Sequence, residues 1–587
     1  MSTAWHVWTQ AIASRLSEQI GKTVEPKDIV IPPDRTMGDF AFPCFRLAKE
    51  RGMSPTEIAQ EIAEAFNLTG LDVERAVAAG PYVNFVLENK AVVRHVVRDI
   101  EALKETYGSN TNGKQAEALV EYAQLNTHKE VHVGHVRNLA LGAAIVRLMR
   151  ACGWKIVPMG YHGDVGAHVA KCLWHFVKKN GFDVTTFSAS DVDRLLAKIP
   201  KDQRTGKYLG DLYAESTRAL AENPDRKTDV SFVQQKLEAH DPTWDKLWRG
   251  TRPWSLDELS ECFLEMGAKI DHQYFESEVV DRGQEIVDQL LRQQIAKESQ
   301  GAIVVDLENV KLGIFLIRKS DGTSLYATKD LALAELKAKD YPQYTRSLMV
   351  VDTRQSFYFK QLFETLRRLG FDRPQEFIGY EFVTLKEGAM SSREGNIVTY
   401  ESFRDAAVDL AKREVIARHE KDGWSEGQVQ DTAWKLAMGG IIFSMLKQDN
   451  DRLITFDMET ALSFEGATGP YCQYAATRLG SILRKAKITP EKPTEEQQVT
   501  HGTEKQLALA LAQFPERVTQ AGMELRPSII AQWCLECSQR INDFYRDVPV
   551  LESAGEVRKQ RLALAEAARC VLMTGLCLLG IDVPEQM

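Results

Sequence analysis

Apolar residues in the middle of the chain fall into short buried runs that alternate with stretches of helical spacing. Residues 118–122 form one such run and predict a buried strand, and from about Gly134 apolar positions recur every three or four residues, as at Val136 and Leu139. Further strand-like runs occur in WKIVPMG, GAIVVDL, LGIFLI and SLMVV, with helical patterns among them. Strands that alternate with helices are typical of an α/β domain with a doubly wound parallel sheet.

The pattern differs on either side of this region. Residues 1–112 combine helical patterns with an alternating strand in AAGPYVNFVLEN, which predicts a small α+β unit, and the polar stretch TYGSNTNGKQ is a linker. From about residue 403 the pattern is almost wholly helical, which predicts an all-α bundle. We therefore predict domains at 1–112, 113–402 and 403–587, with a charged, helix-patterned insertion at about 175–295.

Length and composition fit a large soluble protein. The 587 residues correspond to about three to four domains, and 44% hydrophobic with 26% charged residues is ordinary for a globular chain. The sequence has no basic-then-apolar leader and no apolar run near the roughly 20 residues of a membrane span, so we expect a cytoplasmic protein that binds no membrane. With a net charge of −9, a nucleic acid would have to bind through local basic surface.

The nine cysteines are scattered and odd in number, which favours free buried thiols over a disulfide framework. Cys534 and Cys537 form a C-x-x-C pair, but no second pair or suitable histidine follows it. In an amphipathic helix this spacing fits two core positions better than two metal ligands. We therefore expect no metal site and no structural zinc.

A polar loop joins the strand at 118–122 to the helix that begins near Gly134. A loop that leads into a helix start presents backbone N–H groups and the positive end of the helix dipole, and both favour a phosphate. His132 and His135 stand at this point, three residues apart, so both can face one bound group as neutral donors. Two histidines with this spacing also occur as core or surface residues, but the strand, loop and helix around them favour the phosphate site.

The tetrapeptide HVGH resembles the HIGH signature of class I aminoacyl-tRNA synthetases, and its flanks, with Asn126, Lys129, Arg137 and Asn138, resemble the arginyl-tRNA synthetase family. The segment GDVGAH is similar to the family's G-D-x-G-x-Q, with His168 where glutamine is usual. The resemblance implies a Rossmann-like class I catalytic domain, an N-terminal domain that contacts the tRNA D-loop and a C-terminal anticodon-binding bundle. The chain ends in a family-like P-E-Q-M, and similar N-terminal segments are Gly38-Asp39, Leu47-Ala48-Lys49 and Pro81 to Phe85.

The second class I signature, K-M-S-K-S, occurs only in altered form as AMSSREGN, with Ala389 and Ser392 in place of both lysines. By its residue types this is a polar loop whose Ser391, Ser392 and Arg393 can meet pyrophosphate. Many arginyl enzymes share this loss and carry a lysine just before the HIGH loop, where Lys129 stands. The resemblance therefore implies that Lys129 supplies the missing positive charge, with Arg393 as a lesser contributor.

The resemblance also implies the reaction and its partners. The chain would activate arginine with ATP and Mg²⁺, release pyrophosphate, and pass the arginyl group to tRNA(Arg), as a monomer whose activation step waits for bound tRNA. Positioning and charge stabilisation dominate such transfers, so the histidines would donate to phosphate oxygens as charge grows there. The implied ATP contacts are His132, Gly134, His135, Asn138 and Met390.

A guanidinium substrate requires carboxylates in bidentate geometry. The chain matches in order the arginine-binding pattern of the family, which is a glutamate, an asparagine, Y-x-x-x-D and a glutamine. By spacing alone, a tyrosine and an aspartate four residues apart are also a common surface pattern. The implied arginine contacts are Glu121, Asn126, Tyr326, Asp330 and Gln355.

Candidate tRNA contacts follow from the resemblance and from the spacing of aromatic residues. Tyr82 and Asn84 would read the tRNA corner, and Tyr82 fits equally well as a packing residue of a small α+β core. Tyr471, Tyr474 and Arg478 share one helix face, and tyrosine or arginine planes are suitable platforms for unstacked bases. The two tyrosines also fit core positions.

Two alternatives stay open. A cysteinyl-type class I synthetase would need a zinc-ligand set around its substrate thiol, and the sequence shows none. A catalytically silent tRNA- or RNA-binding relative is disfavoured by the intact histidines and carboxylates but favoured by the altered AMSSREGN loop. A dehydrogenase or a P-loop NTPase is weakened, because no G-x-G-x-x-G follows a strand and Gly21-Lys22-Thr23 lacks the earlier glycine of a P-loop.

Overall fold

The chain forms an N-terminal α+β unit, a central unit around a parallel sheet, and a C-terminal set of helices. The predicted residues Met390, Ser391, Ser392 and Arg393 lie outside the part of the chain that the structure describes. The structure is a computed structural model that describes residues 3–32, 34–320, 325–386, 398–419, 423–486 and 501–587.

The N-terminal unit packs helices on a three-stranded antiparallel sheet. Its elements are α1 (Ala4–Ile20), β1 (Phe40–Pro43), α2 (Phe45–Arg51), α3 (Pro55–Ala65), β2 (Val73–Ala79), β3 (Tyr82–Leu87) and α4 (Asn89–Leu103). The strand order is β1-β3-β2. Helix α1 buries Trp8, Ile12 and Leu16 on one face, as their spacing predicts. Helix α3 begins at a capping box in which Ser54 and Glu57 each bond the other's backbone N–H.

The central unit alternates strands and helices from residue 117 to residue 385. Its elements are β4 (Glu117–Glu121), α5 (Val133–Ala151), β5 (Lys155–His162), α6 (Ala167–Lys179), α7 (Ala189–Lys198), α8 (Gly206–Glu222), α9 (Lys227–Glu238), α10 (Pro242–Glu265), β6 (His272–Phe275), α11 (Val280–Arg292), β7 (Ala296–Ser299), β8 (Ala302–Asp306), β9 (Ile314–Arg318), α12 (Tyr326–Asp340), β10 (Arg346–Asp352), α13 (Ser356–Arg368), β11 (Gln375–Tyr380) and β12 (Val383–Leu385).

Five of these strands form one parallel sheet with the order β11-β10-β4-β5-β6. Helix α5 covers one face together with C-terminal helices, and α11, α12 and α13 cover the other. Because both faces are covered, Ala118, Leu119 and Val120 of β4 are fully buried. The sheet confirms the predicted doubly wound fold. Strand order reverses beside β4, and that reversal leaves a crevice at the carboxyl ends of the strands.

Two parts of the central unit differ from the sequence pattern. The range 175–295, predicted as a helical insertion, contains β6, which is a strand of the main sheet. This strand has only the four residues HQYF, too few to show strand periodicity. The apolar runs of β8 and β9 pair with each other in a separate antiparallel sheet with β7. A short apolar run does not distinguish the two kinds of pairing.

Helices α6 to α10 between β5 and β6 have a hydrophobic core of their own. Trp174 of α6 and Trp244 of α10 are buried in it together with Leu209 of α8. Helix α10 begins at Asp241, whose side chain accepts from the backbone N–H of Thr243 and Trp244. This five-helix segment therefore has the packing of a folded unit set against the sheet.

The C-terminal part is almost wholly helical. Its elements are α14 (Tyr400–His419), α15 (Glu426–Leu446), β13 (Ile454–Phe456), α16 (Met458–Ala461), α17 (Gly469–Ala486), α18 (Gly502–Ala512), α19 (Phe514–Glu524), α20 (Ser528–Asp547) and α21 (Gly555–Leu579). By length and composition α21 could cross a membrane, but 61% of its most apolar window is buried inside the fold. Cys534 and Cys537 are buried core positions of α20, and all nine cysteines are free.

The N-terminal unit docks on the C-terminal helices. Lys505 of α18 forms an ion pair with Asp39 at 2.7 Å and donates to the Leu87 carbonyl at 2.8 Å. Tyr107, which follows α4, stacks on Phe514 with 6.4 Å between ring centroids. These contacts join the N-terminal unit to the C-terminal helices.

Candidate active site

Helix α5 begins at the carboxyl end of the sheet, beside the reversal of strand order. His132 is its N-cap residue, and the Nδ1 atom of this ring accepts the Gly134 backbone N–H at 3.1 Å. The Nδ1 atom of His135 accepts the His132 backbone N–H at 3.2 Å. Since both Nδ1 atoms accept, each neutral ring carries its proton on Nε2 and can donate that proton to a ligand.

Both rings stay neutral at physiological pH. Burial, with a smaller effect from the Lys129 ammonium, lowers the pKa of His132. Burial, then the charges of His132 and Lys129, lower the pKa of His135 to about 3. The ring centroids are 3.7 Å apart, so the two histidines form one donor pair. A Cβ atom at Gly134 would lie 2.9 Å from the His132 ring, which explains the glycine between them.

A second segment of the chain, at residues 398–400, bonds to the backbone beside the two histidines. The Tyr400 N–H donates to the Val131 carbonyl at 2.8 Å, and the Val133 N–H donates to the Val398 carbonyl at 3.1 Å. The described chain therefore resumes beside HVGH directly after the predicted AMSSREGN residues.

A cavity of about 340 Å³ opens beside His135 at the same edge of the sheet. This volume suits a small-molecule ligand. All five predicted arginine contacts line the cavity, although they come from separate segments, and their contact with arginine stays a prediction. They are Glu121 at the end of β4, Asn126 in the next loop, Tyr326 and Asp330 on α12, and Gln355 after β10.

Two carboxylates of the cavity are paired with buried lysines. Glu121 forms an ion pair with Lys337 of α12, and both side chains are buried. Glu276, directly after β6, forms an ion pair with Lys329 of α12. Each pair brings a negative and a positive charge into the protein together, which a buried carboxylate requires.

Asp330 has a different environment. Among the residues that the structure describes, no lysine or arginine forms an ion pair with it, and its carboxylate accepts a hydrogen bond from the Tyr358 hydroxyl. Burial raises the pKa of Asp330 to about 7. The Tyr358 hydroxyl opposes this rise, the Glu121 and Glu276 carboxylates add to it, and the Lys329 charge opposes it to a smaller extent. A carboxylate in this state favours a cationic ligand, because a cation would stabilise its charged form.

The sequence analysis missed several polar lining residues, among them Glu276, Lys337, Tyr358 and Tyr161. Glu276 follows a strand too short to recognise, and Lys337 stands seven residues after Asp330, on the same face of α12. Tyr358 lies near the start of α13. The buried Tyr161 hydroxyl has no hydrogen-bond partner among the described residues. The one usable signal was the spacing of Lys337, a charged residue within a largely buried helix.

Two predicted positions beside the cavity bond to backbone. Asn138 accepts the Ala123 N–H at 2.8 Å and donates to the Val350 carbonyl at 2.8 Å, so it joins the end of β4 to β10. His168, at the position of the family's glutamine, bonds through Nε2 to the Gly163 carbonyl at 3.0 Å. The Asn138 contact with ATP stays a prediction.

The predicted tRNA contacts of the N-terminal unit differ in exposure. Tyr82 is half-buried and packs edge-to-face on Phe45, with 5.6 Å between ring centroids. Asn84 is only 2% exposed, and its Cβ would lie 3.0 Å from a Cβ atom at Gly38. In this structure, therefore, Tyr82 has a surface to offer a base and Asn84 has none.

The predicted C-terminal contacts lie together on α17. The Arg478 guanidinium lies 5.0 Å from the centroid of Tyr474 and 4.1 Å from that of Tyr545 on α20. The Tyr471 hydroxyl accepts from the Asn542 amide at 3.0 Å. This half-buried cluster of aromatic rings and one guanidinium fits base stacking, which stays a prediction.

Three family models match the chain in succession. The model described as Arginyl tRNA synthetase N terminal domain matches residues 6–87. The model described as tRNA synthetases class I (R), catalytic domain, matches residues 97–458. The model described as DALR anticodon binding domain matches residues 472–587. The matches cover nearly the whole chain in the order of its three structural units.

Relatives and a solved structure agree with these models over the full length. The chain is 36% identical to an arginine–tRNA ligase of Bdellovibrio bacteriovorus over 571 residues, covering 96% of this chain and 94% of the relative. It is 30% identical to an arginine–tRNA ligase of Clostridioides difficile, covering 95% of each. Its fold matches the arginyl-tRNA synthetase of Thermus thermophilus with a TM-score of 0.78 and 27% identity over 100% of both chains. The chain therefore belongs to the class I arginyl-tRNA synthetase family.

Proposed function

We propose that this chain activates L-arginine with ATP, forms an arginyl-adenylate with release of pyrophosphate, and transfers the arginyl group to a terminal ribose hydroxyl of tRNA(Arg) with release of AMP. The observation that carries the proposal is the neutral His132 and His135 pair beside a cavity that contains Asp330, a carboxylate without a cationic partner among the described residues. A phosphate-binding pair next to an anionic pocket fits an enzyme that joins ATP to a cationic amino acid.

In the activation step, the arginine carboxylate attacks the α-phosphorus of ATP and the bond to pyrophosphate breaks. His132 and His135 donate their Nε2 protons in hydrogen bonds to phosphate oxygens as charge grows in the pentavalent transition state. Each such donor contributes about 3 kcal/mol when it is preorganised. The backbone bonds to both Nδ1 atoms supply that preorganisation, because they hold the rings before ATP binds.

The cavity recognises the arginine side chain. Asp330 accepts the guanidinium in its ionised form, and the Tyr358 hydroxyl holds that carboxylate in place. Tyr326, Asn126, Gln355 and Glu121 complete the binding of substrate, and Lys337 balances the charge of Glu121. Bidentate bonding to a planar guanidinium distinguishes arginine from lysine.

Lys129 supplies the positive charge that the altered AMSSREGN segment lacks. Its ammonium lowers the pKa of both His132 and His135, so its positive charge acts on the same site. Ser391, Ser392 and Arg393 meet the departing pyrophosphate, and Met390, like Gly134 and Asn138, contacts ATP.

Mg²⁺ enters with ATP. Among the described residues no three His, Cys, Asp or Glu side chains form a group that could hold a metal ion. Mg²⁺ commonly takes its ligands from substrate phosphates and water, and we propose the same here. We further propose a cytoplasmic monomer with domains at 1–112, 113–402 and 403–587. Tyr82, Tyr471, Tyr474 and Arg478 contact the tRNA.

The test is aminoacylation of total tRNA by the purified chain, offered each amino acid separately with ATP and Mg²⁺. Exchange of pyrophosphate into ATP is measured in parallel, with and without tRNA. We expect charging with arginine alone and exchange only when tRNA is present. Tight tRNA binding without any charging would instead identify a catalytically silent relative.

A further inference from the structure

The loop that carries Lys129 lies against the five-helix segment formed by α6 to α10. We propose that α8 and α10 of this segment hold the lysine at the phosphate site, and that Tyr213 of α8 is a positioning residue for Lys129. This inference rests on the proposed role of Lys129 in activation. It assigns a function to a segment whose sequence carries no recognisable motif.

The aromatic face of Tyr213 lies beside the lysine charge. The Lys129 Nζ atom lies 4.8 Å from the centroid of the Tyr213 ring, within the range of a cation–π interaction. Among the described residues no carboxylate forms an ion pair with Lys129, so the ring orients the ammonium without neutralising it. A carboxylate in the same place would cancel the charge that pyrophosphate needs.

Helix α8 also contacts the backbone next to the lysine. A Cβ atom at Gly210, one turn before Tyr213, would lie 2.1 Å from the Cγ atom of Glu130 and 3.0 Å from its backbone nitrogen. Glu130 follows Lys129 directly. The glycine therefore allows the helix to approach the loop closely enough for Tyr213 to reach the ammonium.

Helix α10 fixes the other side of the loop through His128. The His128 backbone N–H donates to Ser255 Oγ at 2.9 Å, and its Nε2 atom is 3.0 Å from Thr251 Oγ1. The Thr251 hydroxyl already donates to the Leu247 carbonyl, so it accepts the Nε2 proton of His128. The His128 backbone has a φ of 57°, a left-handed conformation that an isolated loop would seldom keep. The loop is therefore held by the Tyr213 ring at Lys129, by α8 at Glu130 and by α10 at His128.

The test must distinguish an effect of Tyr213 on Lys129 from an effect on the arginine pocket. Burial raises the pKa of Tyr326 in the arginine pocket, and the Glu276, Asp330 and Tyr213 side chains add to the rise. If Tyr213 acts through Tyr326, its loss raises KM for arginine. If it acts through Lys129, its loss lowers the rate of activation and leaves that KM unchanged.

The experiment compares Tyr213→Leu with Tyr213→Phe in the full chain, by pyrophosphate exchange with arginine, ATP and tRNA. We expect Tyr213→Leu to lower kcat roughly three- to tenfold and Tyr213→Phe to keep the wild-type rate, because only the ring face is used. Arg218→Ala, an exposed change on the same helix, is the matched control. In a Lys129→Ala background, Tyr213→Leu should have no further effect.

Thr251→Val is the second variant, in case Tyr213→Leu does not fold. It keeps the shape of the side chain but removes the acceptor of His128, and we expect a lower kcat that also disappears in the Lys129→Ala background. An equal loss in both backgrounds, or a raised KM for arginine, would overturn the positioning role. A normal rate for Lys129→Ala itself would refute the proposed function of the lysine. A slow Lys129→Ala with a normal Tyr213→Leu would refute only this inference.

Discussion

The raised pKa of Asp330 makes arginine binding depend on pH in a defined direction. The guanidinium requires the ionised carboxylate, and burial places the pKa of this group at about 7 in the empty pocket. Below that pH the carboxyl is protonated, so binding must first remove a proton. Affinity for arginine is therefore fully present above about pH 8 and falls as the pH decreases through 7.

The magnitude follows from the ionised fraction. With a pKa of about 7, roughly nine-tenths of the Asp330 carboxyls are ionised at pH 8 and roughly one-tenth at pH 6. Kd for arginine should therefore rise about tenfold from pH 8 to pH 6, and binding at pH 7 should release about half a proton. Calorimetry in two buffers with different ionisation enthalpies measures both quantities. His135 does not contribute, because burial lowers its pKa to about 3.

Two variants separate Asp330 from other groups that titrate near neutrality. Glu258, in a different cavity, has its pKa raised by burial to about 7, so Glu258→Gln is the matched control and should keep the wild-type profile. Asp330→Asn should bind arginine weakly at every pH, with no proton release. A wild-type Kd that is constant between pH 6 and pH 8, without proton release, would refute the assignment of Asp330 as the guanidinium acceptor.

Three further predictions test the phosphate site, the buried ion pair and the α17 cluster. His135→Ala should slow pyrophosphate exchange about 100-fold at an unchanged KM for arginine, as loss of one preorganised donor does; a loss below tenfold would contradict the donor role. Lys337→Met leaves Glu121 buried and unpaired, so urea unfolding should show about 3–5 kcal/mol less stability, largely restored by adding Glu121→Gln; an unchanged midpoint would contradict the pairing. Arg478→Ala should raise KM for tRNA about tenfold in aminoacylation and leave KM for arginine unchanged, and no change in the tRNA value would exclude stacking at this face.

The parts of the site that sequence reasoning could predict are the local ones. The strand at 118–122 is observed as β4, one residue earlier, and the helix expected from about Gly134 begins at Val133. His132 and His135 lie at the start of the same helix, so their spacing alone brings them together. The alternation of strands and helices also predicted the parallel sheet, although two of the predicted strands, observed as β8 and β9, pair outside it.

Long-range charge pairing could not be predicted in this way. Glu121 and Lys337 are 216 residues apart, and no local pattern links them. Glu276 reaches the cavity because β6 joins the sheet edge beside β5, yet β6 has only four residues. The sequence pattern also left 175–295 without a function, since contacts such as that of Tyr213 with Lys129 appear only after the chain has folded.

Charge compensation is the physical basis of the cation selectivity that we propose for this pocket. Of its described carboxylates, Glu121 and Glu276 are each paired with a lysine, and Asp352 is paired with Arg354. The charge that remains to be matched is that of Asp330. Because its pKa is about 7, this carboxyl is about half protonated at neutral pH and is not a full unpaired anion before arginine binds. An entering guanidinium ionises this carboxyl and becomes its partner in the same event. A neutral side chain of similar size offers no such exchange, because it leaves the carboxyl protonated or unpaired. Selectivity for arginine over neutral amino acids therefore depends on the ionised carboxylate of Asp330, which a guanidinium can pair and a neutral side chain cannot.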